Sequence, residues 1–525
     1  MHALIEIIGL LIGVLVVAGL ARRYSLPAPL LLILVGVAAA LIPGVPEYEL
    51  EAEFVLILVL PPLLYSAAIN GSLLDFKANL RAIGLLSVGY VLFCTALVGL
   101  VVWALVPGMP PGAAFALGAV VAPADAVAAV AIARRLGLPS RILTILEGES
   151  LVNDATALTA LRVAVAAVGT AGFSWLEAGA RFLWVSAGGV AVGLVVTVVI
   201  AAVRRRLDDP VVENALSLIT PFLAFIPAEE LGASGVVSVV VTGLILGHRS
   251  SDLLTSAARL QTQAVWRMID FALESIVFAL IGLQLRGLVE TLDAYPPDRL
   301  VLYATAVCAT VILSRFLWVF PTTYLPRWLS PRIRRRDPAP PWQYVTVVSW
   351  AGMRGVVTLA AALTIPATTR SGEFPHRDLI VFLAFCVIAV TLIGQGGTLP
   401  WLINRLNVRR DAIQDLLAEA QAAHTAATAA LVRLDQLIEA EAELPPGVAE
   451  RLRDGSEQRR LRAWERLGGQ DSETPSAAYR RLRLEVLQTE RDTLVRMRDD
   501  GRINDEMLRV LQEDLDLEES LLARP

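Results

Sequence analysis

Apolar runs follow one another along the first 400 residues, near 4–21, 26–43, 52–70, 82–106, 112–133, 141–168, 176–202, 211–227, 233–247, 266–285, 300–320, 343–366 and 378–399. Most have the length a helix needs to cross about 30 Å of hydrocarbon, and the pattern predicts about thirteen membrane spans. Polar residues enter these runs in few places. The densest is Glu147-Gly148-Glu149-Ser150-Leu151-Val152-Asn153-Asp154 in the sixth run, after which only Arg162 interrupts the apolar residues. A charge at bilayer depth costs on the order of 3 kcal/mol or more. Three acids this close therefore need partners or a use. From about Arg405 the pattern changes to apolar positions at helical spacing among charges. It is broken at Pro445-Pro446-Gly447 and resumes from Ala477 to Leu522. The organisation read from this is a transmembrane domain over 1–400 and a cytoplasmic helical tail over 405–525, regulatory or oligomerising.

Loop charge gives the orientation. Arg22/Arg23, Lys77/Arg81, Arg134/Arg135, Arg204 to Arg206, His248/Arg249 and Arg332 to Arg336 fall in alternate loops. The loops between them are acidic, Pro/Gly-rich or weakly charged: 47–53, 107–112, 169–174, Glu229/Glu230 and 293–298. Basic loops face the cytoplasm, which places the N-terminus outside and the C-terminus inside. The first run lacks a basic leader and a small-residue cleavage site, so it reads as a retained helix. An odd count split around the seventh span leaves two six-helix units of opposite orientation. Such inverted repeats characterise secondary transporters, whose sites sit on interrupted helices in corresponding positions. The fifth run carries Pro123-Ala-Asp125, and the twelfth carries Gly352-Met-Arg354-Gly355. Each sets a helix breaker beside a charge. The predicted fold is all-α and polytopic, with interrupted crossing helices.

Composition agrees: 55% of the 525 residues are hydrophobic and 18% charged, which excludes a soluble globular chain. Lys77 is the only lysine, a bias suggesting a GC-rich bacterial gene and hence a bacterial inner membrane. Cys94, Cys308 and Cys386 lie far apart in apolar runs and read as small hydrophobes. No nucleotide loop, zinc spacing or dinucleotide fingerprint occurs, so no cofactor and no nucleic-acid partner are expected. The charge runs of the tail, Arg459, Arg460 and Arg462 or Asp514 to Glu519, read as solvated faces.

Helical geometry sorts the sixth span. At about 100° per residue, Ser150 and Asp154 share a face with Glu147, whereas Glu149 and Asn153 share a neighbouring one. Asp125 is the only acid of the fifth span, where Pro123 frees a backbone carbonyl. Two carboxylates in a poorly hydrated site cannot both ionise cheaply, so one holds a proton unless a cation replaces it. That competition is an antiport mechanism. Arg354, central and without another acid nearby in sequence, is the expected partner of Glu149 in a structural ion pair. Glu147 is expected to be wetted or locally paired. Asp270 and Glu274 on the tenth span and Glu213 on the eighth read as gating or pairing residues, with Arg267 and Arg315 as candidate partners.

These residues resemble a known family. Glu149-Ser150-Leu-Val-Asn153-Asp154 is similar to the E-S-x-x-N-D motif of monovalent cation:proton antiporter family 1, the sodium/proton exchangers and bacterial NhaP-type proteins. Pro123-Ala-Asp125-Ala, Gly352-Met-Arg354-Gly355, Leu60-Pro61-Pro62-Leu-Leu-Tyr65 and Phe278-Ala-Leu-Ile-Gly282-Leu-Gln284 also fit its pattern, in order, over roughly residues 1–400. The resemblance implies an elevator-type antiporter, a homodimer in the lipid bilayer, moving monovalent cations and protons. It implies Asp154 as main Na+/H+ ligand with Asp125 and Ser150 assisting, Asn153, the Ala124 backbone and Ser66 as further candidate ion ligands, and Glu149–Arg354 as a structural pair. Asn153 stands where electrogenic relatives carry a second Asp, which implies electroneutral exchange. Three positions depart from the pattern. Ala124 replaces a Thr, leaving only its backbone carbonyl as a ligand, Ala126 replaces a Pro, with Pro123 standing upstream instead, and Ser66 stands where relatives often have an acid.

The expectation is therefore a Na+ (or K+, Li+)/H+ antiporter and not an enzyme, with a K+-preferring exchanger as the nearest alternative. An intramembrane aspartyl protease built on Asp125 and Asp154 lacks a Gly-x-Gly-Asp segment and leaves Asn153 and Arg354 without a role. A membrane scaffold acting through its tail does not account for the buried acids.

Overall fold

The computed structural model describes residues 2–24, 28–42, 54–168, 175–284, 287, 292, 295–369, 372–409, 412–440, 445, 447–465 and 473–522. The loop stretches 47–53 and 169–174, residues 293–294 and the side chains of Arg22, Arg336, Arg459, Arg460 and Arg462 lie outside the described residues. The protein divides into two compact units, Met1–Arg410 and Asp411–Pro525.

All thirteen apolar runs contain helix. In chain order the first unit contains α1 (His2–Arg23), α2 (Ala28–Ala40), α3 (Leu60–Asn70), α4 (Leu80–Leu105), α5 (Pro111–Val121), α6 (Ala126–Arg135) and α7 (Ser140–Val168). There follow α8 (Trp175–Arg204), α9 (Pro210–Glu230), α10 (Gly235–His248), α11 (Ser256–Leu283), α12 (Pro297–Leu329), α13 (Trp342–Trp350), α14 (Val356–Leu363) and α15 (Arg377–Leu406). Among the described residues seven helical stretches, α5 and α6 together counting as one, are long and apolar enough to cross a membrane, and four shorter apolar helices accompany them. The remaining runs are α11, which carries a polar stripe, and the α13–α14 pair. A two-residue ladder, Thr368↔Glu373, is the only strand pairing among the described residues.

Two runs are broken where the sequence places breakers. α5 stops at Val121 and α6 starts at Ala126, with Pro123 between them; α13 stops at Trp350 and α14 starts at Val356, across Gly352 and Gly355. Pro123 has no N–H to continue the ladder, and the glycines weaken it. Buried apolar side chains gather in two clusters. The larger unites α4 to α6 with α12 to α15 and residues Val277 to Ile281 of α11. The smaller joins α3, α8, α9 and α10 with Leu151 and Ala155 of α7 and Trp266 of α11. Helices α7 and α11 contribute to both clusters.

The second unit contains α16 (Ala412–Ala440), α17 (Val448–Glu465), α18 (Pro475–Asp499) and α19 (Asp505–Leu522). α18 and α19 form a hairpin turned at Gly501, whose φ of 72° suits glycine. Leu487 and Leu508 are buried. Arg483 forks to Glu518 at 2.6 and 2.7 Å, and Arg491 meets Asp516 and Glu519 at 2.5 and 2.6 Å. The acidic run 514–519 is thus in part an ion-pair ladder between helices and not only a solvated face.

Candidate functional site

The two broken spans meet at their unwound segments, where the Asp125 N–H donates to the Met353 carbonyl at 2.8 Å. Four half-helix ends converge there, and each carries a partial charge. Asp125 is the N-cap of α6, accepting from the Val127 N–H at 2.9 Å, and its carboxylate also packs against Gly355 and faces the Val356 N–H that opens α14. One carboxylate thus serves two positive helix ends. Arg354 serves a negative one: its guanidinium donates to the Val121 and Ala122 carbonyls that end α5, at 3.0 and 3.3 Å, to the Gly352 carbonyl and to the Tyr90 hydroxyl. Arg315 Nε donates to the Val348 carbonyl in the last turn of α13, at 3.1 Å. The glycines of the Gly352-Met-Arg354-Gly355 segment are required by these approaches. A Cβ on Gly352 would strike the Arg315 side chain, and one on Gly355 would strike the Asp125 carboxylate.

Beside the crossing lies a cavity of about 680 Å³, walled by α3, α6, α7, α11 and the start of α14. Ser66, Asp125, Ser150, Asp154, Asp270 and Glu274 line it. Asp154 is only 4% exposed, and among the described residues it accepts no hydrogen bond. Ser150 Oγ accepts from the Ala126 N–H at 3.3 Å, and Ser66 Oγ donates to Asp270 Oδ2 at 2.5 Å. Glu147 and Arg134 pair at 2.5 Å and line the same cavity. Along α11, Gln263 and Arg267 are exposed, Asp270 and Glu274 half-buried and Phe278 buried. The mouth is therefore at the Arg134/Arg267 end and the floor near Phe278. A cavity with four carboxylates beyond its mouth favours cations, and its hydroxyl and carboxylate oxygens suit a hard monovalent ion.

The description "sodium/hydrogen exchanger, transmembrane" matches residues 10–405. The chain belongs to the sodium/hydrogen exchanger family. It is 37% identical to an uncharacterized Na+/H+ exchanger of Mycobacterium tuberculosis, over 99% of this chain and 96% of that protein. It is 33% identical to the low-affinity Na+/H+ antiporter NhaS1 of Synechocystis, over 75% and 72% of the two chains. It is also 33% identical to a sodium, potassium, lithium and rubidium/H+ antiporter of Bacillus subtilis, over 75% and 60%. In fold it matches a sodium proton antiporter from Methanocaldococcus jannaschii with a TM-score of 0.60, at 18% identity, over 77% of this chain and 99% of that one. Members of this family are transporters, and this exchanger is not an enzyme.

In this exchanger the expected face division of α7 holds: Glu147, Ser150 and Asp154 line the cavity, while Glu149 and Asn153 do not. Three readings need correction. Glu149 pairs with Arg315, by two bonds of 2.5 and 2.7 Å, and not with Arg354. The reason is that Arg354 lies within the unwound segment and is taken up by the carbonyls the break exposes. Asn153 and Ala124, expected as ion ligands, bond to each other behind the cavity wall, Nδ2 to carbonyl at 2.7 Å. One residue from Asp154 means a rotation of about 100°, which turns Asn153 away from the cavity. Arg267, expected beside Asp270, donates to the Gln263 carbonyl of its own helix. The cavity positions of Asp270 and Glu274 were accessible from the i, i+4, i+7, i+11 spacing of Gln263, Arg267, Asp270 and Glu274. Tyr90 carried no sequence signal beyond its place in an apolar run. Its ring lies between two guanidiniums, 5.2 Å from Arg315 Cζ and 5.9 Å from Arg354 Cζ.

Proposed function

We propose that this exchanger carries Na+, or another monovalent cation, against H+ across a bacterial plasma membrane. The observation that carries the reading is Asp154: buried, free of hydrogen-bond partners among the described residues, and lining the cavity. A carboxylate in that setting needs a proton or a cation as its counter-charge. Ser150 and Asp125 complete the wall around it, with Asp125 fixed by two helix ends and Asp154 free to exchange its counter-charge. Asp154 and Asp125 are thus the proposed monovalent-cation ligands. Loading from one side, reorientation and release to the other give alternating access, here by an elevator movement of the broken helices in a homodimer. The cavity mouth lies beside Arg134 and Arg267. The excess of Arg in alternate loops supports a cytoplasmic mouth, an external N-terminus and a cytoplasmic tail. Asn153 adds no second carboxylate next to Asp154, which favours one cation for one proton. The Bacillus subtilis relative, named for sodium, potassium, lithium and rubidium, favours a broad specificity that includes K+.

The test is cation-induced pH recovery in proteoliposomes, for wild type and Asp154→Asn. The variant should lose exchange; full exchange would sink the mechanism. An imposed membrane voltage should leave the wild-type rate unchanged, and a rate driven by net charge movement would contradict one-for-one exchange.

A further inference from the structure

The antiport reading leaves one wall of the cavity without a task. On α11, Arg267, Asp270 and Glu274 descend from mouth to floor, and Asp270 lies about 6 Å along the axis from Glu274. Asp270 Oδ2 is held by the Ser66 hydroxyl at 2.5 Å, while Oδ1 is buried and without a hydrogen-bond partner among the described residues. Glu274 lies within electrostatic reach of both Asp270 and Asp125, and Asp154 within reach of Asp125. Of the cations at the mouth, Arg134 is paired with Glu147, and Arg267 donates to the Gln263 carbonyl of its own helix and not to Asp270. Besides Glu147, four acids therefore share the cavity. They form a row and not a cage, because among the described residues no three His, Cys, Asp or Glu converge as a metal-ligand set.

We propose that Asp270, positioned by Ser66 and followed by Glu274, is an outer receiving station: a dehydrating monovalent cation is held there before it passes to Asp154. The half-buried position of Asp270 fits that order. A cation at Asp270 keeps part of its water and gains a carboxylate and a hydroxyl oxygen, and it moves inward only as Asp154 gives up its proton. The free Oδ1 is the acceptor the ion would take. Because the station lies on α3 and α11, outside the broken helices, it acts on arrival and selectivity and not on the exchange at Asp154. This inference rests on the antiport reading, and the experiment separates the two.

Exchange is measured in proteoliposomes against Li+, Na+ and K+ for wild type, Asp270→Asn, Ser66→Ala, Glu274→Gln and Asp154→Asn. Asp270→Asn should raise the half-saturating Na+ concentration about tenfold and lower the maximal rate less. Ser66→Ala should raise it about threefold, and Glu274→Gln should fall between them. The ratios among the three cations should shift in Asp270→Asn, which a purely structural defect would not cause, since that would weaken all three alike. Half-saturation within about twofold of wild type for Asp270→Asn, or a loss equal for all three cations, overturns the station. If Asp270→Asn yields no folded protein, Ser66→Ala decides: an unchanged half-saturation and unchanged ratios overturn it. Exchange by Asp154→Asn would instead overturn the underlying transport reading, whatever Asp270 does.

Discussion

Glu149 and Arg315, 166 residues apart in sequence, close a bidentate ion pair with the two side chains 2% and 1% exposed. The pair joins α7, which carries Asp154, to α12, and through Arg315 Nε it reaches the end of α13. Breaking a buried pair by neutralising one partner leaves an uncompensated charge, at a cost of about 3–5 kcal/mol. Glu149→Gln and Arg315→Gln should each lower the melting temperature and yield of the purified protein. The double variant should be less destabilised than the sum of the two. In a second cycle with Arg354→Gln, the coupling to Glu149 should be weaker. Equal coupling in both cycles, read from thermal unfolding, would show that Glu149 is shared between the two arginines.

Gly355 has no room for a methyl group because the Asp125 carboxylate occupies that space. Gly355→Ala must displace either the cap of α6 or the start of α14, at an overpacking cost of about 1–3 kcal/mol. Exchange per folded molecule should fall, by about tenfold where about 1.4 kcal/mol of that cost is carried by the working crossing. Gly84→Ala is the control, because its Cβ would meet nothing within 4 Å. Wild-type exchange by Gly355→Ala would show that the crossing yields more easily than its packing implies.

Asn153 donates to the Ala124 carbonyl from a fully buried position. Asn153→Leu keeps the volume and removes the donor, leaving a buried carbonyl unmatched at a cost of about 1–3 kcal/mol. Thermal stability should drop, whereas the half-saturating cation concentration should move far less than in a ligand variant. A stable Asn153→Leu protein with strongly weakened cation dependence would return Asn153 to the ligand set.

Asp337 lies in the loop between α12 and α13 and collects arginines from three other places, Arg327 at 2.5 Å, Arg141 at 2.8 Å and Arg81 at 4.0 Å. Partial burial alone would push its carboxyl up. The hydrogen bond from Arg141 and the charges of Arg327, Arg141 and Arg81 outweigh that and hold it below the usual carboxylate range. A folded value below the unfolded one, about 3.9, means stability that is present above that pH and lost as pH falls through the folded value. Asp337→Asn should therefore lower the melting temperature by a similar amount at pH 6 and pH 9. The gap should close only in acid below about pH 4. A gap that changes between pH 6 and pH 9 would mean that Asp337 titrates there.

The spans and their two interruptions were legible in the sequence because run length, Pro123 and the Gly352/Gly355 pair act locally, through hydrogen-bond continuity along a single helix. The division of α7 into a cavity face with Ser150 and Asp154 and a packing face with Glu149 and Asn153 was legible for the same reason, since 100° per residue is a property of the helix itself. The partners across those faces were decided only by tertiary structure. Whether Glu149 meets Arg315 or Arg354 depends on which guanidinium the exposed carbonyls at Val121, Ala122 and Gly352 take up first. Whether Asp270 reaches Ser66 depends on α3 lying beside α11, 204 residues away along the chain. Charge in a low-dielectric interior pairs with whatever the packing brings within about 3 Å, and one-dimensional spacing does not contain that distance.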